Sequence, residues 1–365
     1  MRRIVQAYNA YAMVIGMTSY VTTGGKFRET RISQIYAVVM NAIALTFLPM
    51  GFWRSADLMT MAEWLPSYMW IIPYVLYSIN YAVIAYTLVS RCFRDAMLLD
   101  LQIIIVQVNR EMSRTGKEMN SKLRRMFALK TFTLSYLCIS YILVACVYQW
   151  RMPWSYILYA QLVNTFLTIQ IVSTYFYFVS FWQIARGYDF VNQHMEDIIS
   201  DRSMDSKDQV EELRSLWALH ASLSRTARRI NRHYGPQMLA TRFDYFMFSI
   251  INGYMGTIYS KYDHSASVEK IYGALIYWIR SVDFFLNDYM CDVLTEYQRQ
   301  TKCYITEGKM SKELSSFLIY NNSMRLDLMV CGLYPANRNK WLQMVGSIIV
   351  HSIMLLQFQL VMSTK

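Results

Sequence analysis

The sequence predicts an all-α polytopic membrane protein with seven transmembrane helices, its N-terminus cytoplasmic and its C-terminus extracellular. Three observations predict this. The 365 residues are 55% hydrophobic and 15% aromatic, more apolar than a soluble domain of this size would bury. Runs of about 20 residues with few charges recur along the chain, each long enough as a helix to cross a ~30 Å hydrocarbon core. Basic residues also segregate: the N-terminus and the long connections hold 28 Lys and Arg, whereas the short connections and the C-terminus hold 4. The positive-inside rule places the richer set in the cytoplasm. The same bias accounts for the net charge of +11, so nucleic acid is not required as a partner.

The elements follow in order. Residues 4–22 have basic flanks and an apolar middle diluted by Tyr, Asn and Gln, with no small-residue cleavage site after them. They read as an amphipathic helix on the inner membrane face rather than a signal peptide, with a true span as the alternative. The spans are placed at 32–52, 67–90, 127–149, 156–185, 236–260, 266–290 and 341–362. Residues 91–126, 186–235 and 291–340 are the long connections, expected inside. Within the second of them, Leu213, Leu216, Trp217, His220, Leu223, Ala227 and Ile230 repeat at three and four, the period of one helix face. Acidic residues open that stretch and basic ones close it, and Gly235-Pro236 should stop it. It reads either as a surface helix near anionic lipid or as part of a cytoplasmic bundle. A further helix is expected over 311–333.

Cys92, Cys291, Cys303 and Cys331 fall on the inner segments, while Cys138 and Cys146 fall in the third span. No extracellular disulfide framework is expected. The sequon at Asn321 lies in an inner connection and should be unused. The five His form no metal-ligand spacing, and no phosphate loop or nucleophile elbow is present, so neither catalysis nor a cofactor is expected.

The outer halves of the spans are rich in aromatic residues and amides. Trp70, Tyr74, Tyr77, Tyr148, Tyr159, Gln161, Asn164, Tyr254, Tyr272 and Tyr277 are the candidates for a pocket that takes a small organic ligand. The competing reading is the aromatic belt that any membrane protein carries at its interfaces. Charges inside the spans should be paired. Arg280 and Asp283 are spaced for a pair on one helix, with Asp288 beyond and Arg242 and Asp244 on the preceding span. Such a pair is either structural or an element that moves when ligand binds.

The last span contains 22 residues without Asp, Glu, Lys or Arg, yet includes Gln343, Ser347, His351, Ser352, Gln357 and Gln359. Gly346, Val350, Ile353 and Gln357 share one face, and Ser347, His351, Met354 and Phe358 form the adjacent stripe. A polar seam in hydrocarbon is costly unless it meets protein or water, so this helix suits a wall shared with partner helices or a water path.

Cys331-Gly332-Leu333-Tyr334, Gly346 and Gln357-Phe358 resemble the C-terminal signature of the insect gustatory receptor family. That signature is Thr-Tyr, five mostly apolar residues, then Gln-Phe; here Val350-His351 stand where Thr-Tyr would be. The resemblance implies a ligand-gated, non-selective cation channel of the plasma membrane, in a sensory neuron dendrite, assembled as a homo- or hetero-tetramer and opened by a small-molecule tastant. It implies a cytoplasmic anchor domain where subunits meet, and a pore lined by Val350, His351, Ile353, Met354, Gln357 and Phe358. The missing Thr-Tyr pair favours a bitter-type or contact cue over sugar. The domain plan is then 1–31, a cytoplasmic N-terminus; 32–290, a six-span ligand-binding bundle; 291–340, anchor helices; and 341–365, the pore-lining span and tail. Membrane lipid is the other partner.

Two other classes remain open. A metabotropic seven-span receptor needs the opposite orientation and lacks its Asp-Arg-Tyr motif here. A secondary transporter should show an internal repeat with paired broken helices, and the halves of this chain do not resemble each other.

Overall fold

The structure is a computed structural model that describes residues 2–23, 26–60, 70–148, 153–200, 206–261, 267–306, 316–317, 319–320 and 325–363. Nine helices stand among the described residues: α1 Arg2–Val14, α2 Arg31–Thr60, α3 Ile71–Val89, α4 Arg91–Thr115, α5 Ser121–Tyr148, α6 Trp154–Ser200, α7 Ser206–Lys261, α8 Ser267–Thr306 and α9 Arg338–Ser363. Two short antiparallel hairpins interrupt them: β1 Tyr20–Thr23 with β2 Lys26–Glu29, and β3 Met329–Val330 with β4 Tyr334–Pro335. Among the described residues, five helices are long and apolar enough to cross a membrane: α2, α3, α5, α6 and α9.

Local chemistry sets the boundaries. The α1 helix ends in a Schellman pattern at Gly16 (φ 75°), with Gly16 N–H donating to Met13 O and Met17 N–H to Ala12 O. A side chain at Gly16 would collide with Met40 of α2, its Cβ standing 2.7 Å away, so glycine also lets the two helices approach. At 13 residues α1 is about 20 Å long, too short for the alternative of a span. It packs against α5 and α6 through Tyr8, whose hydroxyl lies 2.5 Å from Ser135 Oγ, and Tyr11, whose hydroxyl lies 2.7 Å from Thr168 Oγ1. Thr30 caps α2 through Ser33 N–H, Asn120 takes Lys122 N–H at the start of α5, and Asn337 caps α9 through Lys340 N–H.

The helices α6, α7 and α8 are 47, 56 and 40 residues long. At ~1.5 Å per residue each exceeds 55 Å, well beyond a ~30 Å hydrocarbon core. Each therefore continues from a predicted span into a neighbouring long connection. The helical face read over 208–235 is the first half of α7, and its apolar residues Leu213, Leu216, Leu223, Ala227 and Ile230 are buried.

Two expectations are corrected here. Gly235-Pro236 does not stop that helix, which runs through Pro236 as one element. Proline removes a hydrogen bond and would end an isolated helix, but tertiary packing holds both sides. Tyr234 and Met238 are buried, and Asn231 Nδ2 donates to Met329 O at 2.9 Å. The β3–β4 turn lies against the helix at Gly235, where a Cβ would make van der Waals contact with Cys331 N at 3.4 Å. Secondly, the helix expected over 311–333 is absent from its last third. Residues 325–328 are neither helix nor strand and 329–335 form the hairpin, because Cys331 (φ 51°) and Gly332 (φ 73°) turn the chain back before α9 begins. The sequon at Asn321 lies outside the described residues.

On the first half of α7, His220 is fully buried among the rings of Tyr188, 5.0 Å away, and Phe317, 5.4 Å away. Neither ring nitrogen has a hydrogen-bond partner among the described residues. Burial pulls its pKa down to about 4. An unfolded chain binds that proton near the ordinary value of about 6.5. Between these values the unfolded state holds more protons, so stability falls as pH drops from neutral and levels out below 4. The loss amounts to about 3 kcal/mol. His220→Leu should flatten the pH dependence of the thermal midpoint between pH ~6.5 and ~4. An unchanged acid slope in the variant would remove His220 as its source.

Candidate functional site

The last helix separates into a docked face and an open one. On the docked face Ile348 is buried against Tyr245 and Ile250 of α7 and Phe284 of α8. Ser352 Oγ reaches Ile250 O at 3.2 Å, and Gly253 of α7 lets the helices touch, since a Cβ there would lie 2.8 Å from Ser352 Oγ. Leu355 and Leu356 pack on Ile251, Tyr254, Met255 and Ile258, together with Ile72 and Leu76 of α3.

The open face carries the residues singled out from the sequence. Val350 is 56% exposed, Ile353 48%, Met354 57% and Phe358 50%, and His351 and Gln357 are exposed with them. Only 6% of residues in the apolar window of α9 are buried inside the chain, against 72% for α6. The helix at the centre of the fold is thus α6, and α9 is a peripheral element whose outer face a single chain leaves uncovered. His351 Nδ1 lies 2.7 Å from Ser347 O on its own helix, and its ring meets Phe246 edge-on at 6.0 Å.

The ten aromatic and amide candidates do not converge on one point. Tyr74, Tyr77 and Tyr159 gather at the end of α2. Tyr77 stacks on Phe52 at 5.0 Å, Tyr74 tilts against Trp53 at 5.1 Å and bonds Asp57, and Arg54 lies over the Tyr159 ring at 5.9 Å. The Tyr159 hydroxyl is buried without a hydrogen-bond partner among the described residues. Gln161 and Asn164 are half-buried on the same helix as Tyr159, and Trp70 is 53% exposed ahead of α3. Tyr254 is fully buried under α9. Tyr272 and Tyr277 sit on α8, where the Tyr272 hydroxyl donates to Ser140 O at 2.6 Å. Tyr148 closes α5, and its side chain lies outside the described set.

The charges buried in α5 and in the predicted spans on α7 and α8 are paired, but across helices rather than along one. The Arg280–Asp283 pair expected from spacing is replaced by two others. Arg280 meets Asp244 of α7 at 2.9 Å, while Asp283 takes Lys130 of α5 at 2.7 Å and Thr133 Oγ1 at 2.7 Å. Arg242 of α7 meets Asp288 of α8. Each partner lies on a different helix because an i,i+3 pair on α8 would leave Lys130 and Asp244, both wholly buried, unpaired. Lys130 went unremarked in the sequence, although a lone Lys inside the apolar run of α5 is itself the signal of a buried acid opposite it. Among the described residues no group of three His, Cys, Asp or Glu could hold a metal.

Comparison with known proteins now bears on this geometry. The family model described as 7tm chemosensory receptor matches residues 5–362. A Drosophila erecta protein provisionally named gustatory receptor 59b is 65% identical over 299 residues, covering 82% of this chain. The alignment takes in 51% of that relative, so this chain spans about half of its length. Among solved structures, the insect olfactory receptor OR5 from Machilis hrabei in complex with eugenol superposes with a TM-score of 0.67, at 12% identity over 98% of this chain and 99% of that one. The same receptor without the ligand gives 0.67 at 11% identity, over 98% of both chains. At such identity the likeness is one of fold.

Proposed function

The chain belongs to the 7tm chemosensory receptor family as a gustatory receptor homologue, and from that premise we propose that it is a subunit of a tastant-gated, non-selective cation channel. The family is one of receptors, not of enzymes. One observation carries the channel reading. The stripe of α9 that includes Val350, His351, Ile353, Met354, Gln357 and Phe358 is the face its own chain leaves open. Facing lipid, Gln357 and His351 would be costly. Facing the same helix of neighbouring subunits around an axis, they meet water and the apolar members meet each other. In a tetramer four copies of residues 341–362 then line the pore, with Phe358 as the apolar constriction and Gln357 beside it.

The seven spans take the orientation set by the basic residues, with the N-terminus and the long extensions of α6, α7 and α8 inside, where they form the anchor between subunits. The spans drawn on α7 and α8 include Arg242, Asp244, Arg280, Asp283 and Asp288, and the cross-helix pairs are what make those segments tolerable at membrane depth. The tastant enters from outside and binds among the outer halves of spans two to six, which carry the tyrosine candidates. The olfactory receptor of this fold was solved with eugenol, which supports a small organic ligand. A bitter-type or contact cue fits the absence of the Thr-Tyr pair. The receptor works at the plasma membrane of a sensory neuron, alone or with related subunits.

Whole-cell recording without nucleotide or G-protein support tests this. A panel of bitter compounds should evoke a fast cation current in cells expressing the chain. Tags on the two termini of intact cells should be reached only at the C-terminus. A response that requires G-protein supply, or an accessible N-terminal tag, would assign the chain to the metabotropic class instead.

A further inference from the structure

We propose that His351, supplied by four copies of the chain at once, forms a site for a copper(II)-class cation inside the pore, and that the bound metal blocks the open path. The site rests on the tetrameric channel reading above. Within one chain no group of three His, Cys, Asp or Glu among the described residues could hold a metal, so the site is incomplete without the other copies.

The imidazole is held as a metal ligand is held. His351 is exposed on α9, and its Nδ1 lies 2.7 Å from Ser347 O one turn back. A carbonyl oxygen only accepts, so in the neutral ring Nδ1 carries the proton and Nε2 keeps its lone pair. Among the described residues nothing bonds Nε2. Metal-binding imidazoles use this same arrangement: the second nitrogen donates to a backbone carbonyl or carboxylate, which fixes the tautomer and raises the basicity of the first. The ring also meets Phe246 of α7 edge-on at 6.0 Å, which limits its swing. The other described histidines differ. His220 is fully buried, and His194 stands 3.8 Å from Glu212.

Placement then multiplies the ligand. His351 shares its stripe with Met354 and Phe358, on the side of α9 that its own chain leaves open. Copies related by a rotation axis present the same atom at the same height, so one His per chain becomes a ring of four. The stretch from Trp341 to Met362 has no Asp, Glu, Lys or Arg, which makes the ring one of neutral nitrogens. Symmetry selects the metal. A fourfold axis sets four nitrogens in a square, the geometry of copper(II) and nickel(II) rather than the tetrahedron of structural zinc. Calcium and magnesium prefer oxygen. His351 and Phe358 are seven residues apart, about 10 Å of helix, so the metal sits beyond the apolar constriction and plugs the path behind it. Since His351 stands where the signature has Tyr, the ring is a property of this chain.

The test loads the purified full chain with copper(II) in glycine buffer, which strips loosely held metal. Tetramers should retain one copper per four chains, and paramagnetic resonance should show coupling to four equivalent nitrogens. His351→Gln should weaken retention more than ~100-fold, since losing only the partner that orients such a ligand already costs about 10–100-fold. Unchanged elution as a tetramer certifies the variant, and the wild-type spectrum decides alone should the variant not assemble. In cells, copper(II) should abolish the current evoked by an active compound of the bitter panel, with each channel normalised to its own metal-free current, and calcium at the same concentration should not. Tetramers that retain no copper, or a four-nitrogen signal that survives in His351→Gln, overturn the site and leave the channel reading standing. Current untouched by saturating copper removes the metal from the pore. Lone subunits in detergent overturn the tetramer and the site together.

Discussion

Lys130→Met is expected to destabilise the chain by about 3–5 kcal/mol, the cost of breaking a buried pair by removing one partner. Lys130 is wholly buried and Asp283 nearly so, with 2.7 Å between Nζ and Oδ2 and a further bond from Nζ to Asp283 O at 3.1 Å. Among the described residues, the substitution leaves a carboxylate in the bundle core with only Thr133 Oγ1 to bond. Adding Asp283→Leu removes the stranded charge, and the double variant should recover most of the loss, since a matched apolar pair often replaces a buried ion pair at little cost. The thermal midpoint of the detergent-solubilised chain reads both steps, and the double-mutant cycle isolates the coupling. Were Lys130→Met to melt with the wild type, the pair would contribute nothing and the bundle would owe its order to apolar packing alone.

These pairs also explain what could be read from the sequence and what could not. Each predicted span lies within one helix or overlaps it, because apolar length survives tertiary context. The spans on α7 and α8 are the ones whose composition falls short, and their charges are those that pair across helices. A linear reading finds a charge in a span but not its partner, so it pairs Arg280 with its neighbour in sequence and offers no partner for Lys130. Pro236 misled for a related reason. The local rule is correct for an isolated helix, but the hairpin docked at Gly235 and the buried side chains around it were unseen. The stripes on α9 were legible because one helix defines them. The aromatic candidates were not, since their grouping depends on how five helices meet.

Phe358→Ala is expected to raise the current that flows without ligand by about tenfold or more. A pore closed by an apolar ring excludes hydrated ions because water leaves a narrow apolar constriction. In the proposed assembly the Phe358 side chains of four subunits form that ring, and Phe358 is 50% exposed in the single chain. Burying one such side chain is worth about 1.5–3 kcal/mol. Removing it from every copy takes that energy from the closed state, and ~1.4 kcal/mol already shifts an open–closed ratio tenfold. Gln357→Ala acts differently, since the amide contacts a permeating ion only once the path opens. It should change ligand-evoked current or its selectivity while leaving the basal current near its wild-type level. The two variants together separate a gate from a lining residue. Phe358→Ala channels that reach the surface and stay silent without tastant would place the constriction elsewhere on α9. Unaltered current and selectivity in Gln357→Ala would turn that side of the helix away from the axis.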